Sequence, residues 1–403
     1  MCHAEAAVKF KDFINGFNNF REKYLMHSKR KKIISEVGQV VIKVGTRLLT
    51  DTAVIPSLIK QISFLRERNI RVLLVSSGAV GMGLKTTGMK KRSNKLSEVQ
   101  ALAALGQSRL VALYDKECVK YGFHAAQMLL SAEDLRNRKR HINAMNCIHS
   151  LWALGHLPII NENDSVSVDE LKLGDNDTLA AMLAVMTRSD LTILLTTVDG
   201  LRAVDQSGAL AERIPEVSVI TSDMRKLAKG TDGNAFSIGG MKTKIKAAEM
   251  ITNAGEYMII ADGREEDIVR RIFNGDDVGT LFLPVTDKRM HSKKRWLNFF
   301  SKASGDIIVD EGAAKAVSGS GCSLLPSGIT GINGRFSRGD TVNIVTEDGD
   351  VIAKGLTNYS SSELHKIAGR QTADINSILG AGADRSEERR VGKECRSRWS
   401  PYH

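Results

Sequence analysis

The chain has 403 residues, of which 42% are hydrophobic and 26% charged, with a formal net charge of +11. This is the make-up of a globular protein of about two domains, and no apolar run approaches the ~20 residues that a membrane-spanning helix needs. The charge alone would suit a nucleic-acid partner, but residues 1–38 hold eight Lys/Arg against four acids and residues 384–403 six against four, so the tails carry +6 and the body +5; a modestly basic body fits an anionic small substrate at least as well.

Residues 1–37 read as a leader. Phe10, Phe13, Phe17 and Phe20 stand among polar residues, without the apolar core or small-residue cleavage site of a secretory signal. Cys2, Cys118, Cys147, Cys322 and Cys395 are scattered with no CxxC spacing, so neither a metal site nor a disulfide framework is expected, and a reducing cytoplasmic setting fits. Next comes an alternation of apolar strands and helical patterns. Strands are expected at 40–44, 70–75, 157–160, 191–195 and 257–261, and helices at 55–68, 95–120, 138–154, 176–187 and 239–254. Uninterrupted apolar strands between helices predict an α/β domain over 38–286, with a mainly parallel sheet covered on both faces. Residues 287–295 are basic and turn-like, a linker. Beyond them, short strands punctuated by Gly305, Gly312, Gly328, Gly331, Gly334, Gly339, Gly349 and Gly355 predict a small β-rich domain over 296–380, closed by a helix at 361–379. Residues 381–403 lack periodicity and read as a disordered tail or as read-through, non-native sequence.

Four polar segments fall at expected strand ends, where ligands collect in such folds. In Val41-Ile42-Lys43-Val44-Gly45-Thr46, a lysine inside an apolar strand is costly unless its ammonium finds a partner at the strand end; a snorkelling lysine is the alternative. Ser76-Ser77-Gly78-Ala79-Val80-Gly81-Met82-Gly83 offers either a nest of backbone N–H groups for an anion or a tight strand-to-helix turn. Its G-x-x-G-x-G spacing is not the dinucleotide fingerprint, and no Walker A pattern occurs. Asn161-Glu162-Asn163-Asp164 and, ten residues on, Gly174-Asp175-Asn176-Asp177 could bind an amino acid's charged groups, Mg²⁺ or a catalytic lysine, or form a solvated acidic loop. Gly239-Gly240-Met241-Lys242-Thr243-Lys244 opens a helix, as a phosphate-binding N-terminus would, and Lys244 could reach a phosphoryl group or stand in solvent.

Together these segments resemble the amino-acid kinase family, and within it the glutamate 5-kinases. The resemblance rests on VIKVGT, SSGAVGMG, ALAALGQSRL (101–110), QMLL (127–130), INENDSVSVDELKLGDNDTLAA (160–181) and GGMKTK, and covers residues 38–380. The small domain, with KRWL, IIVDEGAAKAV, SLLPSGI and FSRGDTVNI, looks like a PUA domain. The resemblance implies ATP-dependent phosphorylation of the L-glutamate side-chain carboxylate, the first step of proline synthesis. Lys43 and Lys244 would stabilise the phosphoryl group in flight, held by Asp177. Ser77, Asp164 and Asn176 would bind glutamate, with Asn161 and Asp175 nearby. ATP would meet Lys43, Gly45, Thr196, Thr197 and the run Ile238, Gly239, Gly240, Met241, Lys242, Thr243, Lys244, with Mg²⁺ bridging its phosphates and no metal site of the protein's own. The resemblance further implies a homo-oligomer, dimer or tetramer, feedback inhibition by proline, and handover of the product to glutamyl-phosphate reductase.

Three residues depart from the family pattern on the nucleotide side: Thr197 stands where Asp is usual, Arg202 where Tyr is usual, and Ile238 where Thr is usual. They motivate altered ATP affinity, to be read from a KM for ATP outside the ordinary family range. Competing readings are a kinase of the same fold acting on acetylglutamate or aspartate, an RNA-binding protein using the basic segment Lys288–Arg295, and a regulatory pseudo-kinase; retention of both lysines and of Asp177 weighs against the last.

Overall fold

Strands with no polar alternation must be covered on both faces, and the structure, a computed structural model, covers them with helices from the same chain. It describes residues 28–89, 91–92, 94–166, 176–204, 210–225, 240–285, 295–320, 323–371, 374–379 and 399–401. The chain divides into two units, Met1–Asp134 with Asn143–Arg289, and Leu135–Ile142 with Met290–His403.

In the first unit, strands β1 (Gln39–Val44), β2 (Arg71–Ser76), β3 (Ala125–Leu130), β4 (Leu157–Glu162), β5 (Leu191–Thr196), β8 (Glu216–Val217), β9 (Tyr257–Asp262) and β10 (Thr280–Phe282) form one sheet in the order β3-β4-β2-β1-β5-β9-β10-β8. The run from β3 to β9 is parallel, and β10 enters antiparallel to β9. A short antiparallel pair, β6 (Arg202–Val204) and β7 (Leu210–Arg213), stands apart. Every expected strand is present. β3 was not foreseen: Ala-Ala-Gln-Met-Leu-Leu has no β-branched residue and lies mostly half-exposed at the sheet edge.

The helices are α1 (28–35), α2 (Val54–Glu67), α3 (Ala79–Thr87), α4 (Leu96–Val119), α5 (Ala132–Arg136), α6 (Arg138–Ala153), α7 (Asn176–Thr187), α8 (Met241–Asn253) and α9 (Ile268–Asn274). Strand alternation sorts the packing. Val40, Ile42 and Val44 of β1 join a core with Ile55, Ile59 and Ile62 of α2, Leu110 and Tyr114 of α4, and Val269 and Ile272 of α9. Lys43 lies on the opposite face, toward α7. That helix is buried on every side from Leu179 to Thr187, which its uniformly apolar sequence requires. The unit also begins before residue 38, since Ile34 and Val37, from the stretch set apart as leader, belong to its core, and Arg30 is buried with its guanidinium donating to Val278 O.

Gly83, from the clustered glycines, and Gly106 serve packing. A Cβ on Gly83 of α3 would fall 2.0 Å from Leu102 O, and one on Gly106 of α4 would fall 1.8 Å from Ala79 O. The backbones of α3 and α4 therefore touch, and only glycine fits at the crossing. Gly78, with φ of 97°, makes the left-handed step from β2 into α3. The segment thus makes a tight strand-to-helix turn and a helix contact.

The second unit is built on β11 (Gly305–Val309), β12 (Ile329–Gly334), β13 (Thr341–Thr346) and β14 (Val351–Leu356), in the order β12-β11-β13-β14, with helix α10 (Glu311–Ser320). Trp399–Pro401, within the stretch set aside as a tail, pairs antiparallel with β14 as β15. The single helix expected at 361–379 is two, α11 (Ser361–Ile367) and α12 (Ile375–Leu379). Gly369 intervenes at φ of 71°, a left-handed position that ends a helix. Ser360 opens α11 with a capping box to Glu363. Leu135–Ile142 is part of this unit, where the His141 ring meets Phe300 edge-on at 4.7 Å and the Arg138 guanidinium lies over Trp296. Residues 287–294 of the basic linker lie outside the described residues, and Arg295 is buried. Among the described residues no helix is long and apolar enough to cross a membrane.

The helix crossing yields a paired test. Gly106→Ala is expected to cost at least ~1–3 kcal/mol by overpacking α3 against α4. Gly81→Ala, in the same helix α3 but with nothing within 4 Å of the added carbon, is expected to stabilise by roughly 0.5–1 kcal/mol. Urea denaturation of the two variants would show opposite shifts; shifts of the same sign would contradict the contact.

Candidate active site

The polar residues gather where β1, β2, β4 and β5 reach their carboxyl ends. Asp177, in the first turn of α7, is fully buried. Lys43 Nζ, from β1, stands 2.6 Å from its Oδ1, and Lys244 Nζ, from the first turn of α8, is 2.9 Å from its Oδ2. Thr243 Oγ also donates to Oδ2 at 3.2 Å. Both lysines are themselves buried, at 6% exposure. Burial alone would push the Asp177 carboxyl up, but the two ammonium charges and their hydrogen bonds outweigh it and hold the group well below the ordinary carboxylate range. Two cations on one anion leave the cluster with one net positive charge, which suits a phosphoryl group.

Gly45 lies beside the cluster: a Cβ there would stand 3.9 Å from Lys43 Nζ and 3.5 Å from Leu195 O, ordinary contact distances. Gly240 is the residue before α8, which has no side-chain cap. Its first-turn N–H groups point to where an anion would sit.

The residue before Asp177 belongs to a second network. Asn176 Nδ2 donates to Ser77 Oγ at 2.7 Å, to Asn161 Oδ1 at 2.9 Å and to Ser76 O at 3.3 Å. Asn161 Nδ2 in turn donates to Gln107 Oε1 at 2.8 Å. Asn176 Oδ1 is buried and has no hydrogen-bond partner among the described residues. A buried acceptor in that condition is costly unless a ligand supplies the donor. Consecutive residues at the start of one helix therefore serve both halves of the site, Asn176 the polar pocket and Asp177 the cation pair.

Of the expected residues, Lys43, Lys244 and Asp177 meet, and so do Ser77, Asn176 and Asn161. Asp164 is half-buried in the turn after β4. Thr196 ends β5, and its carbonyl accepts from Gly263 N at 2.9 Å. Thr197 O accepts from Arg264 Nη2 at 2.9 Å, while Asp262 clasps the same guanidinium at 2.6 Å. Arg202, at the usual tyrosine position, pairs with Asp199 at 2.7 Å, a local contact at the start of β6. Met241 is half-buried and Lys242 exposed. Asp175, Ile238 and Gly239 lie outside the described residues. Gln107 was missed. It stood inside a quoted motif, but a buried glutamine on a helix gives no sequence signal of its partner.

Residues 38–262 match the Amino acid kinase family and residues 305–379 the PUA domain. The chain is 42% identical to a glutamate 5-kinase of Trichlorobacter lovleyi over 358 residues, 87% of this chain and 95% of that protein. It is 43% identical to a glutamate 5-kinase of Desulfotalea psychrophila over 357 residues, 87% and 94% of the two chains. A third glutamate 5-kinase, from a Thermoanaerobacter species, is 42% identical over 348 residues, 85% and 93%.

Asp177→Asn would leave two buried ammonium groups without their counter-charge, and a loss of about 3–5 kcal/mol is expected. The folded carboxyl titrates below its unfolded value, so the stability it contributes is complete above about pH 4 and is lost as the pH falls toward about 2. Urea unfolding of wild type and variant should therefore differ at pH 7 and converge on acidification. A constant gap across that range would contradict the ionised, doubly paired carboxylate.

Proposed function

Because the chain belongs to the amino acid kinase family, and its relatives over nearly their whole length are glutamate 5-kinases, we propose that it transfers the γ-phosphoryl group of ATP to the side-chain carboxylate of L-glutamate, the first step of proline synthesis. The observation that supports this best is the adjacency of the Lys43–Asp177–Lys244 cluster to the Ser77–Asn176–Asn161 pocket. One half answers to a phosphoryl group and the other to an amino acid.

The carboxylate nucleophile is already ionised at neutral pH and needs no general base. One of its oxygens attacks the γ-phosphorus in line, the bond from phosphorus to the β,γ-bridging oxygen breaks, and the electron pair leaves with ADP. The charge in flight is spread over the phosphoryl oxygens, so the protein's part is positioning and neutralisation. Lys43 and Lys244 supply the charge. Asp177 fixes both ammoniums before substrate arrives, which removes the cost of arranging them during reaction. The uncapped start of α8 receives the nucleotide phosphates, and Thr196, Thr197 and the residues from Ile238 to Lys244 border the nucleotide. Mg²⁺ enters as part of the nucleotide substrate, since the buried Asp177 carboxylate is committed to the two lysines. The product is a labile mixed anhydride, suited to direct reduction by a following enzyme.

Purified protein with ATP, Mg²⁺ and glutamate should release ADP and, with hydroxylamine present, form a hydroxamate. Acetylglutamate or aspartate should give neither. Turnover with one of those acids instead would move the assignment to a different carboxylate, and no turnover by folded protein would favour the pseudo-kinase reading. Lys43→Met and Lys244→Met should each lower kcat by ~10²–10³, with the KM for glutamate changing little. A rise in KM at unchanged kcat would remove the lysines from the transition state.

A further inference from the structure

We infer that Gln107 is a positioning residue for the substrate's α-ammonium group, acting through Asn161 on Asn176. The inference deepens the glutamate kinase reading and rests on it.

The direction of the amide chain is set from one end. Ser76 O is a backbone carbonyl and can only accept, so the group of Asn176 that faces it must be the donor Nδ2. That choice turns Asn176 Oδ1 the other way, where it is buried and has no partner among the described residues. Asn161 must then present its Oδ1 to Asn176, which turns Asn161 Nδ2 toward α4. There it meets Gln107 Oε1 at 2.8 Å. Asn161 and Gln107 are both buried, at 2% and 7% exposure, so water cannot take either part.

Without the Gln107 acceptor, Asn161 would bury an unpaired donor. Its amide would gain by turning over to another partner, and Asn176 would then lose the acceptor that holds its Nδ2 inward. The buried Asn176 oxygen, the natural partner for an ammonium donor, would no longer be fixed. The same helix also steadies the neighbouring strand: Tyr114, seven residues on, places its hydroxyl 3.0 Å from Ser76 Oγ. Gly106, beside Gln107, is where the backbone of α4 meets that of α3. Helix α4 thus lies behind the polar pocket and sets its hydrogen-bond polarity without touching substrate.

The test compares a substrate that carries the α-ammonium with a probe that lacks it. In wild type, Gln107→Leu and Gln107→Glu, the KM for glutamate would be measured together with the inhibition constant of glutarate. Gln107→Leu is expected to raise the glutamate KM by about tenfold, the scale of one hydrogen bond to a charged group. The glutarate constant and the KM for ATP should stay within about twofold, since neither reports on the ammonium contact. Gln107→Glu keeps an acceptor at the same reach and should recover most of the glutamate affinity. If Gln107→Leu does not fold, the Glu variant carries the test through the same ratio of glutamate to glutarate constants, which should stay near wild type. Equal weakening of glutamate and glutarate would overturn the inference and leave Gln107 a packing residue. An unchanged glutamate KM in folded Gln107→Leu would overturn it as well. Failure of the underlying reading is separate, since wild-type protein would then not turn over glutamate at all.

Discussion

A carboxylate shut away from water, with a lysine ammonium at each oxygen, is the constraint around which the first unit is arranged. Asp177 could not stay ionised in the core alone, and neither lysine could be buried alone; each charge is tolerable only because the others are in place. The three come from β1, α7 and α8, so their meeting fixes the relation of those elements at the end of the sheet. It also leaves the cluster with a surplus of positive charge at the carboxyl ends of the strands.

The rest of the site follows from the position of α7. The helix is apolar from Leu179 onward and sinks beneath the strands, packed against β1, β2 and β5 and against α8. Its polar start emerges at the strand ends, and the two residues there face different tasks. On the far face of the sheet, α4 lies against the core with its stripe of Leu102, Gly106, Gln107, Leu110 and Tyr114, and two of these reach the substrate strands with polar groups. The polar pocket is therefore determined as much by a helix that does not face it as by the loops that do.

Around the end of β5 the charge pairs are local. Arg202 is satisfied by Asp199, and Arg264 bridges Asp262 and the carbonyl of Thr197. The strand end that carries Thr196 and Thr197 is held through its backbone by Arg264, so the main chain there is supported even though the usual acidic side chain is replaced.

Much of this was legible beforehand. Five strands of the first unit's sheet were visible because strands buried on both faces cannot carry polar alternation, and Lys43 stood out because a lysine within such a strand needs a reason. The two asparagine-rich segments and the glycine pair before α8 were equally visible, since polar residues and glycines at strand and helix ends have few purely structural uses. The sequence by itself thus determined the central strands, the main helices that cover them and the residue types available at the sheet's carboxyl edge, because burial and local geometry act over a few residues at a time. Tertiary structure alone decided that Lys43 and Lys244 share one carboxylate, that Gln107 holds Asn161, and that Gly83 and Gly106 serve a helix crossing. Those outcomes depend on which atoms face each other across distant parts of the chain. Hydrogen bonds and ion pairs are settled at the scale of an ångström by packing, which leaves no trace in the spacing of residues along the sequence.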